Sequence, residues 1–402
     1  MSVEVRPPAA EELRDALAAA EAAFGGELEE HDWQRHQKLM PPSRALGAFD
    51  GGRPVGLAAA YAFDLSIPGG ELPCAGVTWV GVLPSHRRRG ILRDFMRRQL
   101  ADVHAWGEPI AALWASESSI YGRFGYGMAT TGTPAKSQVQ RFALRDGAGE
   151  GATVRLVDAA EALALFPPVY DRLRSTRAGM LSRDETWWTE LRLADPKEWR
   201  HGASQKFYAV AERDGVAEGF ALYRVKSEWE DGFSKSEVKV VEVIAATAEA
   251  ELALWRFLHG IDLMVLVDVF ALDPASPLLL TARDPRALGL RHGDALWLRL
   301  VDLDAALRAR AYKPGESVVL EVRDELCPWN AGRYRVGVGA GRTEDEADLA
   351  LDTRDLASVY LGAHDFHLLA HAGLVEERRP GAVGAASLLF RTDLPPFCPE
   401  VF

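Results

Sequence analysis

The stretch from Val77 to Leu100 constrains this chain more than any other. An apolar run is followed by Arg87-Arg88-Arg89-Gly90, and then by apolar residues at the spacing of one helical face. This order predicts a strand, a basic turn and an amphipathic helix. The first N–H groups of a helix lack internal partners and carry the positive end of its dipole. Gly90 allows close approach of the backbone, so the sequence predicts a phosphate-binding turn.

Composition narrows the class of protein. A chain of 402 residues favours two or three domains. With 46 basic and 58 acidic residues, its net charge of −12 argues against nucleic acid as the main partner. Cys74, Cys327 and Cys398 show no zinc or disulfide spacing, which predicts a reducing cytoplasm. No signal peptide or membrane-spanning run is apparent, so we expect a cytoplasmic protein without a membrane span.

The first two blocks of the chain follow a similar order. In residues 1–150, Asp50-Gly51-Gly52 predicts a hairpin between strands. Residues 151–292 repeat the succession of helices, hairpin, long strand and helix. The turn after that long strand, Ala245 to Glu249, contains neither arginine nor glycine. We therefore predict an internal duplication whose second copy has lost the phosphate-binding turn.

The third block, residues 293–402, is predicted to mix strands and short helices before a proline-rich tail. His364, His367 and His371 lie near one another. They lack a carboxylate at ligand spacing, which favours solvated or capping histidines over a metal site. No metal cofactor is expected.

Two motifs resemble those of the GCN5-related N-acetyltransferase (GNAT) superfamily. Arg87 to Leu92 matches its pyrophosphate loop, Q/R-x-x-G-x-G/A, except that Leu92 replaces the last small residue. Tyr121, Gly125 and Tyr126 fill the pattern Y-x-x-x-G-F/Y. A solvated charge run would also account for the arginines. Cations are unfavourable at a helix N-terminus, however, and a bound polyanion explains three of them there.

The resemblance implies sites for acetyl-CoA and for proton transfer. Backbone groups of a strand edge would bind the pantetheine arm, and the basic turn would bind the pyrophosphate. The positions implied for acetyl-CoA are Val80, Gly81, Val82, Arg88, Arg89, Gly90, Ile91, Leu92, Arg93, Ser116 and Glu117. Tyr121 would protonate the leaving thiolate, whereas Tyr126 is expected to pack.

Along its whole length the chain resembles the enhanced intracellular survival (Eis) family of actinobacteria. HRRRG, ASE…IYGRFGYG, Tyr360 to His364 and the final phenylalanine carry this resemblance. It implies an α/β fold with mixed sheets, comprising tandem GNAT domains and a C-terminal sterol-carrier-protein-like α+β domain. It also implies that only the first GNAT domain binds acetyl-CoA. A homohexamer that acetylates amines, including aminoglycosides, is the expected assembly.

In the Eis family the general base is the C-terminal carboxylate, here that of Phe402. An α-carboxyl group, with a pKa of about 3.5, is a weak base in water. Either burial and a nearby amine raise its basicity, or the carboxylate mainly orients an ammonium group and accepts its proton late. A member of the family has glutamate just before its last phenylalanine, whereas this chain has Val401, with Glu400 one place earlier. Strand-like alternation would turn Glu400 and Phe402 to the same side.

Other residues compete for roles near the acceptor. Glu117 would act as a base through water, and His86 is expected to lie too far from the amine. Asp32 and Trp33 are candidates for lining a cationic pocket, because carboxylates and aromatic faces attract ammonium groups.

Two functions remain open at this point. The first is direct transfer of acetyl to a cationic amine, such as an aminoglycoside, a polyamine or a lysine-like group. No cysteine lies near the motifs to form an acyl-enzyme. The second is a non-catalytic protein that binds acyl-CoA or an apolar ligand.

Overall fold

The computed structural model describes residues 3–402. Its first stretch ends at Thr130 and alternates long strands with helices. The strands are β1 (Glu4–Arg6), β2 (Ala45–Asp50), β3 (Arg53–Ile67), β4 (Gly70–Val82), β5 (Ile110–Trp114) and β6 (Gly127–Met128). The helices are α1 (Leu13–Phe24), α2 (Glu30–Leu39), α3 (Ile91–Ala105) and α4 (Ser118–Tyr121). The predicted hairpin is confirmed, since Asp50 pairs with Arg53 across Gly51 and Gly52, both at positive φ.

The second stretch, residues 131–294, contains a similar set of elements. Its strands are β7 (Thr131–Gln138), β8 (Thr153–Val157), β9 (Phe207–Arg213), β10 (Val216–Lys226), β11 (Trp229–Glu230), β12 (Phe233–Ser234), β13 (Ser236–Ala245), β14 (Met264–Leu272) and β15 (Gly293–Asp294). Its helices are α5 (Ala159–Arg174), α6 (Glu185–Trp187), α7 (Ala248–His259) and α8 (Leu278–Thr281). The predicted long strand and following helix are confirmed as β13 and α7.

The third stretch, residues 295–402, mixes short strands and helices as predicted. Its strands are β16 (Leu296–Leu300), β17 (Val318–Arg323), β18 (Gly332–Val336), β19 (Gly341–Arg342), β20 (Leu349–Asp352) and β21 (Val375–Glu377). Its helices are α9 (Leu303–Ala309), α10 (Thr353–Tyr360), α11 (Phe366–His371) and α12 (Ala382–Phe390). Strands β17 to β21 form one sheet in the order β19-β18-β17-β20-β21.

The described chain forms two compact units. The first contains the residues up to Thr130, together with Ala295–Asp393 and Val401–Phe402. The second contains Thr131–Asp294 and Leu394–Glu400. Because both units are discontinuous in sequence, the division at residues 150 and 292 stays a prediction. No helix between residues 3 and 402 is long and apolar enough to cross a membrane.

Each unit contains a seven-stranded sheet of the same design. The order is β1-β2-β3-β4-β5-β16-β6 in the first unit and β8-β9-β10-β13-β14-β7-β15 in the second. In both, the fourth and fifth strands are parallel and all other neighbours are antiparallel. The sixth strand of each sheet does not come from the same part of the chain as that sheet's other strands. β7 follows β6 in sequence but belongs to the second sheet, and β16 follows β15 but belongs to the first. The matching topology agrees with the predicted duplication.

Helix α3 covers the first sheet through the predicted apolar face. Ile91, Phe95, Met96 and Leu100 are buried against a core that includes Val77 of β4. This packing fixes the start of the helix beside the end of β4. The basic turn between them is therefore held at both ends.

A buried ionic cluster in the second unit holds the segment before the C-terminus. The guanidinium of Arg183 donates to Glu242 at 3.1 Å and also to Glu400. Arg192 lies 3.0 Å from Glu242, and the Tyr170 ring lies 3.8 Å from the Arg183 guanidinium carbon. Burial alone would raise the pKa of Glu242, but the two arginines lower it below its usual value. The two carboxylates are thus compensated by two arginines.

Removing one arginine from this cluster tests its contribution. We expect Arg183→Met to lower the free energy of unfolding by about 3–5 kcal/mol, because two buried carboxylates then share one cation. Arg155→Met is the matched control, since Arg155 is in an exposed ion pair with Glu212, and should change stability little. Chemical denaturation measures both. Equal unfolding midpoints for the two variants would contradict the assignment.

Candidate active site

A cleft opens where β4 and β5 stop pairing. The parallel ladder joins Cys74–Gly76 to Ile110–Ala112 and goes no further. Beyond this point β4 continues to Val82, so its edge facing β5 has no strand partner there. The resulting cleft has a volume of about 710 Å³.

A bulge in β4 lies just before the cleft. Trp79 has a φ of 55°, which is unusual for a residue other than glycine, and the register with β3 shifts opposite it. The Trp79 indole N–H donates to the Tyr61 hydroxyl at 3.3 Å. The His36 ring meets the indole edge-on, with centroids 4.4 Å apart. Burial and the Arg35 charge lower the pKa of His36 to about 4, so this supporting ring is neutral.

The three arginines of the basic turn and Arg93 of α3 differ in their partners. Arg87 donates to the carbonyl oxygens of Ala23 and Val82, at 3.0 and 3.3 Å. Arg89 donates to the carbonyl of Ser85 at 3.2 Å. Arg88 and Arg93 have no hydrogen-bond or ion-pair partner within residues 3–402, and both line the cleft. Their guanidinium groups are therefore available for an anion.

The start of α3 lies in the same cleft without a side-chain cap. Gly90 precedes the helix at a φ of 87° and offers no side chain to the first N–H groups. These N–H groups have no partner within the helix, and they lie at the end of the basic turn. A helix N-terminus beside two uncommitted guanidinium groups is suited to a pyrophosphate.

The structure brings together nearly all predicted acetyl-CoA positions. Those lining the cleft are Val80, Gly81, Val82, Arg88, Gly90, Ile91, Leu92, Arg93, Ser116 and Glu117. Arg89 is not among the lining residues, because its guanidinium turns back to Ser85. His86 also lines the cleft, with its Nε2 atom 3.2 Å from Asp50 Oδ2.

Tyr121 ends α4 and lines the cleft opposite the strand edge. Its side chain is largely buried, and no residue in the described chain bonds its hydroxyl. Burial and the negative charge of Glu117 raise its pKa to about 12, so the phenol stays protonated at neutral pH. Tyr126 lies fully inside the core, and its ring centroid is 5.9 Å from that of Tyr121. This position is consistent with the expected packing role.

Phe402 lies against the face of the strands that form the cleft. Its ring is 5.4 Å from that of Phe63 on β3. A Cβ atom on Gly76 would lie 3.2 Å from the Phe402 ring. Gly76 is also the last residue of β4 that pairs with β5. The C-terminal residue therefore packs where the two strands separate.

Of the other acidic candidates, Glu117 lines the cleft, whereas Asp32 and Glu400 are compensated by arginines. Asp32 forms an ion pair with Arg35. Glu400 is buried among Arg183 and Arg192 rather than exposed. Among residues 3–402, no group of three or more His, Cys, Asp or Glu side chains is placed to hold a metal ion.

Sequence reasoning missed the aromatic support of the site. Phe63 and Trp79 were predicted only as strand residues, although one contacts Phe402 and the other forms the bulge. Gly76 was the available signal, because an isolated glycine in a strand indicates close approach of another group.

A parallel pair that separates beside a basic helix N-terminus, with a tyrosine across the cleft, defines a GNAT acetyltransferase. Models of the acetyltransferase (GNAT) domain match residues 4–129 and 179–301. A sterol carrier protein domain model matches residues 303–399. The protein is an acetyltransferase with two GNAT domains and a C-terminal sterol-carrier domain, and GNAT acetyltransferases use acetyl-CoA.

Relatives define the family more closely. N-acetyltransferase Eis of Mycobacterium tuberculosis is 36% identical over 416 residues, covering 98% of each chain. An uncharacterised N-acetyltransferase of Streptomyces avermitilis is 42% identical over 388 residues, covering 94% of this chain and 95% of the relative. The crystal structure of Eis1 from Mycobacterium abscessus has a TM-score of 0.87 at 34% identity, with both chains fully covered. The chain belongs to the Eis family of N-acetyltransferases.

The division among the arginines predicts unequal effects on acetyl-CoA binding. We expect Arg88→Gln or Arg93→Gln to weaken binding about tenfold, because each removes a charge-assisted hydrogen bond. Arg89→Gln is the matched control and should change the Kd less than twofold, because Arg89 bonds Ser85 instead. Isothermal titration calorimetry measures all three. An Arg89 variant as weak as the other two would contradict the division.

Proposed function

We propose that this enzyme transfers acetyl from acetyl-CoA directly to a primary amine of a cationic acceptor. An aminoglycoside, a polyamine and a lysine-like side chain are the candidate acceptors. The observation that supports the proposal is a largely buried Tyr121 side chain, without a hydrogen-bond partner among residues 3–402, in a cleft that is also lined by the free edge of β4 and by two uncommitted arginines.

The residues along the cleft fit the parts of acetyl-CoA. Arg88 and Arg93, with the first N–H groups of α3, would hold the pyrophosphate. Free backbone groups at Val80–Val82 would pair with the pantetheine amides. Leu92 has a larger side chain than the small residue of the family pattern, but its backbone N–H would still be available to the pyrophosphate. Arg89 would stabilise the turn through its hydrogen bond to the Ser85 carbonyl rather than contact the phosphates.

Two groups of the chain would move protons during transfer. The amine nitrogen forms a bond to the acetyl carbon as the carbon–sulfur bond breaks. Tyr121 would give its proton to the departing sulfur, and the carboxylate of Phe402 would accept the proton that the amine loses. The products are an acetamide and a free thiol, and solvent returns the proton from the carboxylate to Tyr121.

The family resemblance extends the proposal to the assembly. We propose a homohexamer that works in the cytoplasm with small-molecule amines, and not with nucleic acid. The N-acetyltransferase relatives favour this enzyme over the non-catalytic binding protein.

Release of free thiol across an amine panel tests the reaction and the role of Tyr121. We expect the native enzyme to release thiol with at least one cationic amine. Tyr121→Phe should lower kcat about 100-fold or more, since it removes the general acid, while acetyl-CoA affinity is kept. Mass spectrometry identifies the acetylated product. Native turnover in Tyr121→Phe would remove the tyrosine from the mechanism, and no thiol above background with any amine would overturn the proposed reaction.

The raised pKa of Tyr121 gives a second measurement on the same variant. A group with a pKa of about 12 remains protonated as pH rises through the working range. Phenolate absorbance of the native protein minus that of Tyr121→Phe should therefore show no step below about pH 11. A step near pH 8 would contradict the environment assigned to Tyr121.

Displacing the C-terminal carboxylate tests Phe402. We expect a Gly-Ser extension after Phe402 to lower kcat about 100-fold, because the carboxylate moves away from the acceptor. Phe402→Leu keeps the carboxylate and removes only the ring that packs on Phe63, so it should retain most of kcat. Acetyl-CoA affinity, measured by calorimetry, should be unchanged in both. An extended chain with native turnover would exclude the carboxylate as the base.

A further inference from the structure

A buried arginine lies directly beneath the turn that carries Tyr121. Arg299 is on β16, which enters the first sheet between β5 and β6, and its side chain has no exposed surface. Gly125 lies four residues after Tyr121 and has a φ of 83°. A Cβ atom there would lie 2.7 Å from the guanidinium carbon of Arg299. The guanidinium therefore packs against the backbone of this turn at a distance that only glycine permits.

The guanidinium is fixed from the side of the C-terminal domain. Its Nη2 atom donates to both carboxylate oxygens of Asp324 at 2.7 Å. Its Nη1 atom donates to the Thr353 hydroxyl at 3.0 Å. Asp324 is held in turn by the backbone N–H of Cys327 and the side-chain amide of Asn330, at 2.9 and 3.0 Å. Arg299 thus has a single well-defined position.

The same domain also supports the far end of the turn. Helix α10 begins at Thr353 and passes beside Gly127 of β6. A Cβ atom on Gly127 would lie 2.6 Å from the backbone nitrogen of Ser358. Within the turn, the N–H of Tyr126 donates to the Tyr121 carbonyl at 3.4 Å. Displacement of residues 125–127 would therefore be passed to Tyr121.

We propose that Arg299, fixed by Asp324 and Thr353, is a positioning residue for Tyr121. A fully buried ion pair is seldom the most stable choice for a core, because apolar residues of similar volume often do as well. A planar guanidinium with fixed hydrogen bonds nevertheless gives a rigid platform that an apolar side chain does not. Asp324 and Thr353 would then act in acetyl transfer without touching substrate. This inference rests on the proposed role of Tyr121 as general acid.

Two variants test the platform. Arg299→Lys keeps the charge but removes the planar group, and Thr353→Val removes one hydrogen bond at nearly constant volume. We expect Arg299→Lys to lower kcat about tenfold and Thr353→Val several-fold, with acetyl-CoA affinity unchanged, because the acid is misplaced rather than lost. Arg378→Lys is the matched control, since Arg378 forms an exposed ion pair with Glu321 in the same domain. It should leave kcat and acetyl-CoA affinity unchanged.

Combination with Tyr121→Phe separates positioning from a general loss of stability. If Arg299 acts through Tyr121, Arg299→Lys should not slow the Tyr121→Phe enzyme further. An equal loss in both backgrounds would overturn the inference, as would native kcat in both platform variants. If Arg299→Lys does not fold, Thr353→Val in the two backgrounds decides alone. Native turnover in Tyr121→Phe would instead show that the proposed general acid is wrong.

Discussion

The active site depends on the point at which β4 and β5 separate. Pairing ends at Gly76 and Ala112, while each strand keeps its neighbour on the other edge. β4 stays paired with β3 as far as Val82, and β5 stays paired with β16 as far as Trp114. Backbone groups of β4 are left free on one side of the gap, and the turn carrying Tyr121 closes the other. A fully paired sheet would leave neither a cleft nor free donors.

The same point places the two groups that would move protons. Phe402 packs on Gly76, where the strands part, and Tyr121 lies across the cleft that begins there. The bulge at Trp79 lies in β4 between this point and the basic turn, and Tyr61 and His36 contact its indole. Packing thus stabilises the positive φ of Trp79 just before the cleft.

Local patterns predicted the site better than the fold around it. The strand, turn and helix from Val77 to Leu100 depend on neighbours in sequence, and so does the turn at Tyr121; the structure has each of these elements. Placement of β7 and β16 depends on pairing between residues far apart, which no local pattern encodes. Arg299 lies on β16, but its burial depends on its ion pair with Asp324, which lies 25 residues further along the chain. The contact between Glu400 and Arg183 could not be predicted for the same reason.

The second sheet shows why topology alone does not make a phosphate site. Its parallel strands also separate, since β13 continues to Ala245 after its last pairing, between Val240 and Val269. The stretch beyond carries the buried Glu242, whose charge would repel an anion if Arg183 and Arg192 did not already bind it. Thr247 precedes helix α7, and its hydroxyl accepts a hydrogen bond from the N–H of Ala250. In α3 the corresponding position is Gly90, which leaves those donors free. One capped and one uncapped helix start would give the two similar sheets different affinities for the pyrophosphate of acetyl-CoA.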